Sequence, residues 1–429
     1  MDLDAYRARA QAFATDLNRA HHRRFAGLDG AWDPDALYAH HAAAFDDAAI
    51  EALRGAAADE AHAEDPAAAP RPGSQPMRRL LRFAVEARLG RATARTDAER
   101  ARAEAEEGLV ELTAALSTEA DLGRRVALEE QRLDIVVRRL TPLAAEGLER
   151  VRAEARALGW PSPRALLATL HGRDPGALAA EAEALLRATA PPVLDGGDAG
   201  APTARLDLAR VHRAAWADAL LPADSVARLR EELRSLGIAE RFAIDAAPRA
   251  GKSPRAFCAA VAVPGDVHLV VAPRGGLPDL EAVFHEAGHA IHLSHRAPDA
   301  PFEDRHLTDR ADAEALAFAL EARAAAGIDD ARLTAHREAM ALLRMRHLAA
   351  SLLHDLDLLD VGPFPALGER YARRLATATG LTWPSAPWLV VADPLLTSAD
   401  YLRALARARA LGDAGDAALV RALTQETYQ

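Results

Sequence analysis

The spacing of apolar residues restricts this chain more than any other feature. Over most of the first 240 residues they recur every three or four positions, as in LLRFAVEARLGRATA, LEEQRLDIVVRRL and ALAAEAEALLRATA. That period gathers them on one face of a helix, whereas a strand alternates its faces every second residue. The spacing therefore predicts a series of amphipathic helices. One region reads differently: in RAFCAAVAVPGDVHLVVAP, two short runs rich in Val, Phe and Leu flank Pro264-Gly265-Asp266, which suits a hairpin turn. The expected fold is mostly α with a small β-hairpin.

Helix breaks fall at EDPAAAPRPGSQP (64–76), at Gly159 to Pro163, where Ser162 reads as an N-cap, and at PPVLDGGDAGAP (191–202). The last is the best linker candidate, so the expected division is an N-terminal helical lobe, 1–190, a linker, 191–202, and a catalytic lobe, 203–429. Arginine is abundant and Lys252 is the sole lysine, a bias that signals no nucleic-acid chemistry. A net charge of -11 repels phosphate backbones and anionic lipid, and the arginines are interleaved with acids. A single cysteine, Cys258, excludes an intramolecular disulfide and a cysteine-based zinc knuckle. The opening MDLDAYRARAQAF has no apolar core of a secretory signal, and no long uncharged apolar run follows. A soluble cytoplasmic protein with no nucleic-acid or membrane partner is the expectation.

DLEAVFHEAGHAIHLSH carries four histidines, directly after the hairpin. On a helix His285 and His289, four residues apart, project from one face and can reach one ion. Glu286 is too close in sequence to ligate comfortably, but it is placed to take a proton from a water at the metal. Leu280, Val283, Phe284, Ala287 and Ile291 form the stripe that buries the helix, and Gly288 removes bulk beside the ligands.

A catalytic zinc needs a third protein ligand. His295 has the spacing of a metzincin ligand, but His292 stands where that pattern requires glycine. The better source is the next helix, ADAEALAFALEARAAAG, where Glu314 and Glu321 share a face with Phe318 between them. Glu314 comes first, because a ligand on a packed helix is held more rigidly than one on a loop. Glu303, Asp304, His306 and Asp309 in or beside the intervening loop remain alternatives. Glu321 is placed to accept an N–H from a ligating histidine. His292 and His295 read as surface or packing residues; His268, His21-His22 and His40-His41 read as solvated; Cys258 reads as a small buried hydrophobe.

HEAGHAIH followed by EALAFALE and preceded by RAFCAAV resembles the zinc-dependent oligopeptidases of the thimet oligopeptidase and oligoendopeptidase F family, within the gluzincins. The family pattern is HEFGHALH with a ligand glutamate about 25 residues after the second histidine, and Glu314 stands 25 residues after His289. Phe257 and Cys258 match a strand motif that ends Gly-Ala-Tyr-Cys in many members. The resemblance spans 250 to 325. It implies a two-lobed helical body around a deep cleft, one Zn2+ per chain on the cleft floor, and cleavage of short peptides. It also implies a C-terminal histidine and tyrosines that stabilise the oxyanion. In DPLLTSADYLRALARA, Tyr401 matches one tyrosine, but Pro394 falls where the other tyrosine belongs and Leu389 where the histidine belongs. Two expectations follow: a zinc peptidase using Glu286 as general base, with Tyr401 as oxyanion donor, or a zinc-retaining peptide-binding protein whose hydrolysis is weak or lost.

Overall fold

The computed structural model describes residues 1–28, 33–63, 75–197 and 200–425. The chain begins with α1 (Leu3–Phe25), α2 (Pro34–His40), α3 (Asp47–Ala63), α4 (Pro76–Glu106), α5 (Leu109–Thr118) and α6 (Leu122–Ile135). It continues through α7 (Thr141–Ala157), α8 (Pro163–His171), α9 (Pro175–Ala188), α10 (Leu208–Arg213) and α11 (Ser225–Leu236). Three short strands follow: β1 (Ala243–Asp245), β2 (Phe257–Ala262) and β3 (Asp266–Val270). Then come α12 (Leu277–Ser294), α13 (Phe302–His306), α14 (Arg310–Glu321), α15 (Ala331–Val361), α16 (Ala366–Thr379), α17 (Thr397–Asp413) and α18 (Asp416–Thr424). The fold is mostly α, as the periodicity predicts, and the Ser162 hydroxyl accepts the Ala165 N–H at 3.1 Å to start α8.

The expected hairpin is β2 and β3, antiparallel, with Cys258 opposite Leu269 and Ala260 opposite Val267. β1 adds in parallel on the far side of β3, so the order is β1-β3-β2 and β2 is an edge strand. Three residues are too few for a two-residue period to show, which is why β1 has no signature in the sequence.

Contacts group the chain into two compact units, each discontinuous: 1–91 with 222–327 and 403–429, and 92–221 with 328–402. This differs from a division at 191–202. Leu194 is buried with Val211, Leu343 and Tyr371, and Asp195 accepts from Arg332 Nε at 2.7 Å. The described part of that segment is therefore packed chain of the second unit. The break at 64–74 lies outside the described residues.

In the first unit α12 is the central element. Its Leu280, Val283, Phe284, Ala287, Ala290 and Ile291 are all buried, against β2, β3, α11, α14 and α18. α1 runs along β2, and the Asn18 side-chain amide donates to the Ala260 carbonyl at 2.8 Å. α12 and α14 approach so closely that a Cβ on Gly288 would stand 2.6 Å from the Ala317 Cα and 3.2 Å from the Leu316 carbonyl oxygen. The loop between α12 and α14 carries the short helix α13.

The second unit is organised on α15, which packs against α8, α9 and α16. Its buried Arg346 donates to the carbonyls of Leu186 in the last turn of α9, of Thr189 just after it and of Ala378 in α16, at 3.0, 2.5 and 2.6 Å. One guanidinium thus satisfies the unpaired carbonyls at two helix ends.

The close approach at Gly288 yields a prediction. Gly288→Ala gains helix propensity worth about 1 kcal/mol, but it sets a methyl against backbone, where overpacking costs about 1–3 kcal/mol. The expected result is a lower Tm together with weaker metal binding, because Glu314 and Glu321 ride on the displaced helix. Gly55→Ala on α3, where a Cβ meets nothing within 4 Å, is expected to raise Tm instead.

Candidate metal centre

One turn of α12 points His285 and His289 the same way, with ring centroids 5.1 Å apart. α14 faces them. Glu314 lies three residues before Ala317 and Glu321 four residues after it, so both carboxylates project from the contact that Gly288 permits. Glu314 Oε2 is 3.3 Å from His285 Nε2 and 3.7 Å from His289 Nε2. Glu321 Oε2 lies 2.9 Å from His285 Nδ1, and the Phe318 ring packs edge-on to His285 at 4.9 Å. All four polar side chains are largely buried.

The donor set fits a metal. With Nδ1–H donated to Glu321, His285 turns the lone pair of Nε2 towards Glu314, and Oε2 of Glu314 is buried without a hydrogen-bond partner among the described residues. Lone pairs facing one another are repulsive unless a cation stands between them. One ligand atom from each of His285, His289 and Glu314 lies within 4.8 Å of the other two. Tetrahedral zinc with bonds near 2.0–2.1 Å separates its ligands by about 3.3 Å, close to the spacings seen. Among the described residues no other trio of His, Cys, Asp or Glu donors gathers in this way.

Protons occupy the same niche when metal does not. Burial disfavours charge on His285, but the Glu314 and Glu321 carboxylates outweigh it and raise its pKa to about 9. The same contact acts on the other partner: burial works against the Glu314 carboxylate, yet the two histidines bring it down to about 2.

Glu286 stands half-buried next to His285, and its Oε2 accepts the backbone N–H of Cys258 at 2.9 Å. The cysteine thus matters through its backbone; burial pushes its thiol well above the ordinary range. No residue type signals this bond, which depends on how β2 lies against α12.

The three carboxylates among the alternative ligands are engaged elsewhere. Glu303 is buried and pairs with Arg7 through both oxygens, and Asp304 pairs with Arg79 Nη2 at 2.6 Å. His306 stacks on Phe302, and burial lowers its pKa to about 4. Asp309 caps α14 through the Ala311 N–H. His292 and His295 are buried packing residues: His292 Nε2 meets Thr308 Oγ1 at 3.0 Å, and His295 Nδ1 meets the Ile291 carbonyl at 2.9 Å. Two histidine pairs expected to be solvated have partners, since His22 stacks on His268 at 4.2 Å and His41 Nε2 is 3.0 Å from Asp16. Tyr401 lies near the start of α17, within the second unit.

The fold is similar to that of a chain assigned as an oligoendopeptidase F, at 13% identity over 100% of this chain and 94% of that one, with a TM-score of 0.50. At that identity the likeness is one of fold alone. Trypanosoma cruzi metallocarboxypeptidase 1 aligns over 99% of this chain and 97% of its own at 14% identity, but its TM-score of 0.39 carries no argument. No family model matches the chain, and no curated protein matches it in sequence. Among the described residues no helix is long and apolar enough to cross a membrane.

Two outcomes are expected. A histidine must shed its proton to ligate, and His285 holds that proton up to about pH 9. Zinc affinity should therefore climb about tenfold per pH unit from neutrality towards that value and then level off, as competition with a chromophoric chelator would show. Glu321→Gln, which lacks the charge that steadies His285, should weaken zinc binding by about 10–100-fold in the same assay.

Proposed function

We propose that the protein is a zinc-dependent peptidase acting on short peptides, with His285, His289 and Glu314 as ligands and Glu286 as general base. The observation that carries this reading is the convergence of three partly buried donor atoms beside a carboxylate held by a strand N–H. Bound zinc supplies a Lewis acid that polarises the scissile carbonyl and acidifies a water. Glu286 takes the proton of the attacking water and delivers it to the departing amine. The Cys258 N–H keeps one carboxylate oxygen in place, leaving the other for proton transfer. Glu321 orients His285 from behind.

Substrate pairing along the whole outer edge of β2 is limited, because Glu286 engages the Cys258 N–H and Asn18 engages the Ala260 carbonyl. Two of the groups such pairing uses are already taken. Substrate binding is therefore assigned to side chains around the centre rather than to a free strand edge. The oxyanion role that the resemblance gives Tyr401 is a separate proposal, for which Tyr401→Phe should lower kcat and leave zinc content unchanged.

The second reading, a peptide binder that retains zinc, is favoured by Pro394 and Leu389 standing where the resemblance calls for a tyrosine and a histidine. A peptide mixture incubated with and without chelator, with products read by mass spectrometry, separates the two: chelator-sensitive cleavage supports the enzyme, and zinc content with binding but no cleavage supports the binder. Glu286→Gln retains an oxygen to accept the Cys258 N–H, so it is expected to keep zinc and lose about 10²–10⁴-fold in turnover. His289→Ala is expected to lose the metal itself, measured by elemental analysis; full turnover in the Gln variant would remove Glu286 from the mechanism.

A further inference from the structure

A pocket of about 340 Å³ opens between the C-terminal half of α1 and the start of β2. Cys258 belongs to its wall, and the backbone N–H of Cys258 is bonded to Glu286, so the pocket begins one hydrogen bond from the proposed general base. Phe25 and Phe257 meet edge to face at 6.1 Å and supply an apolar side, with the His21 ring 5.9 Å from Phe25. Burial lowers the pKa of His21, so near neutral pH it is an uncharged neighbour.

Arg255 supplies the charge. It is exposed at the rim, and only its backbone groups are engaged, with Ser253. Among the described residues its guanidinium has no hydrogen-bond or ion-pair partner. That sets it apart from arginines of the same unit such as Arg7, Arg249 and Arg323, each of which is paired with an acid. In a chain with a net charge of -11, an anionic ligand is repelled unless a local cation receives it. A guanidinium presents a fork of donors that matches a carboxylate.

We propose that this pocket receives a carboxylate of the peptide substrate, with Arg255 as its counter-ion and the Phe25–Phe257 wall against the neighbouring apolar part. The inference rests on the peptidase reading for what the ligand is, and on the pocket alone for the charge it must carry. Either the C-terminal carboxylate or an Asp or Glu side chain offers that chemistry.

The test uses the full chain carrying Glu286→Gln, with zinc present, and matched short peptides. Each peptide is made as free acid and as C-terminal amide, and each with Glu or Gln in its interior. Calorimetric titration is expected to show the carboxylate form binding about tenfold more tightly than its neutral match, a preference lost in Arg255→Gln and largely kept in Arg255→Lys. Preference confined to the acid/amide pairs assigns the site to the chain terminus; preference confined to the Glu/Gln pairs assigns it to a side chain. Equal binding of charged and neutral peptides, or a preference that survives Arg255→Gln, overturns the proposal. An Arg255-dependent preference in a protein whose Glu286-intact form cleaves nothing upholds the pocket and removes the peptidase reading. Cleavage without any charge preference does the reverse.

Discussion

Two helices meet backbone to backbone at Gly288 and Ala317, and the candidate centre depends on that contact. α12 carries His285 and His289 on one turn, and α14 carries Glu314 and Glu321 on turns either side of Ala317. Any side chain at residue 288 would hold the helices apart by roughly the size of a methyl group. The distance from Glu314 to the two imidazoles would then be set by strain rather than by packing. A site that needs its donors placed to a fraction of an ångström is better served by helix contact than by loops.

The same packing gathers negative charge and lone pairs that a bound proton or a metal ion would offset. His285 is held between two carboxylates in a largely buried niche, and Glu314 keeps an oxygen with no hydrogen-bond donor. The two carboxylates raise the pKa of His285 to about 9, so the niche holds a proton well above the ordinary range of histidine, and a metal ion would have to displace it. Glu286, one residue from His285, accepts a strand N–H through one carboxylate oxygen.

Much of the site could be read before any coordinates. The four-residue spacing of His285 and His289 and the seven-residue spacing of Glu314 and Glu321 are helical arithmetic, and helix geometry turns spacing into shared faces without further information. The choice among Glu314, Glu303, Asp304, His306 and Asp309 was open on spacing alone. What bears on it lies far off in the chain: Arg7 and Arg79, more than 200 residues away in sequence, pair with Glu303 and Asp304. The bond from Cys258 N–H to Glu286 and the Asn18 bond to Ala260 were likewise illegible, because backbone groups carry no residue-type signal.

The amino-acid order by itself determined the helical elements, the hairpin and the two same-face pairs of candidate ligands, since these depend only on local period and turn chemistry. Tertiary structure alone decided which segments share a unit. α1 packs on β2 as well as on the residues that follow it, α4 is divided between the units after residue 91, and Leu194 in the segment 191–202 is buried in the second unit. An amphipathic pattern states that a face must be buried but not against what; that partner is chosen by long-range contacts whose free energy no local window contains.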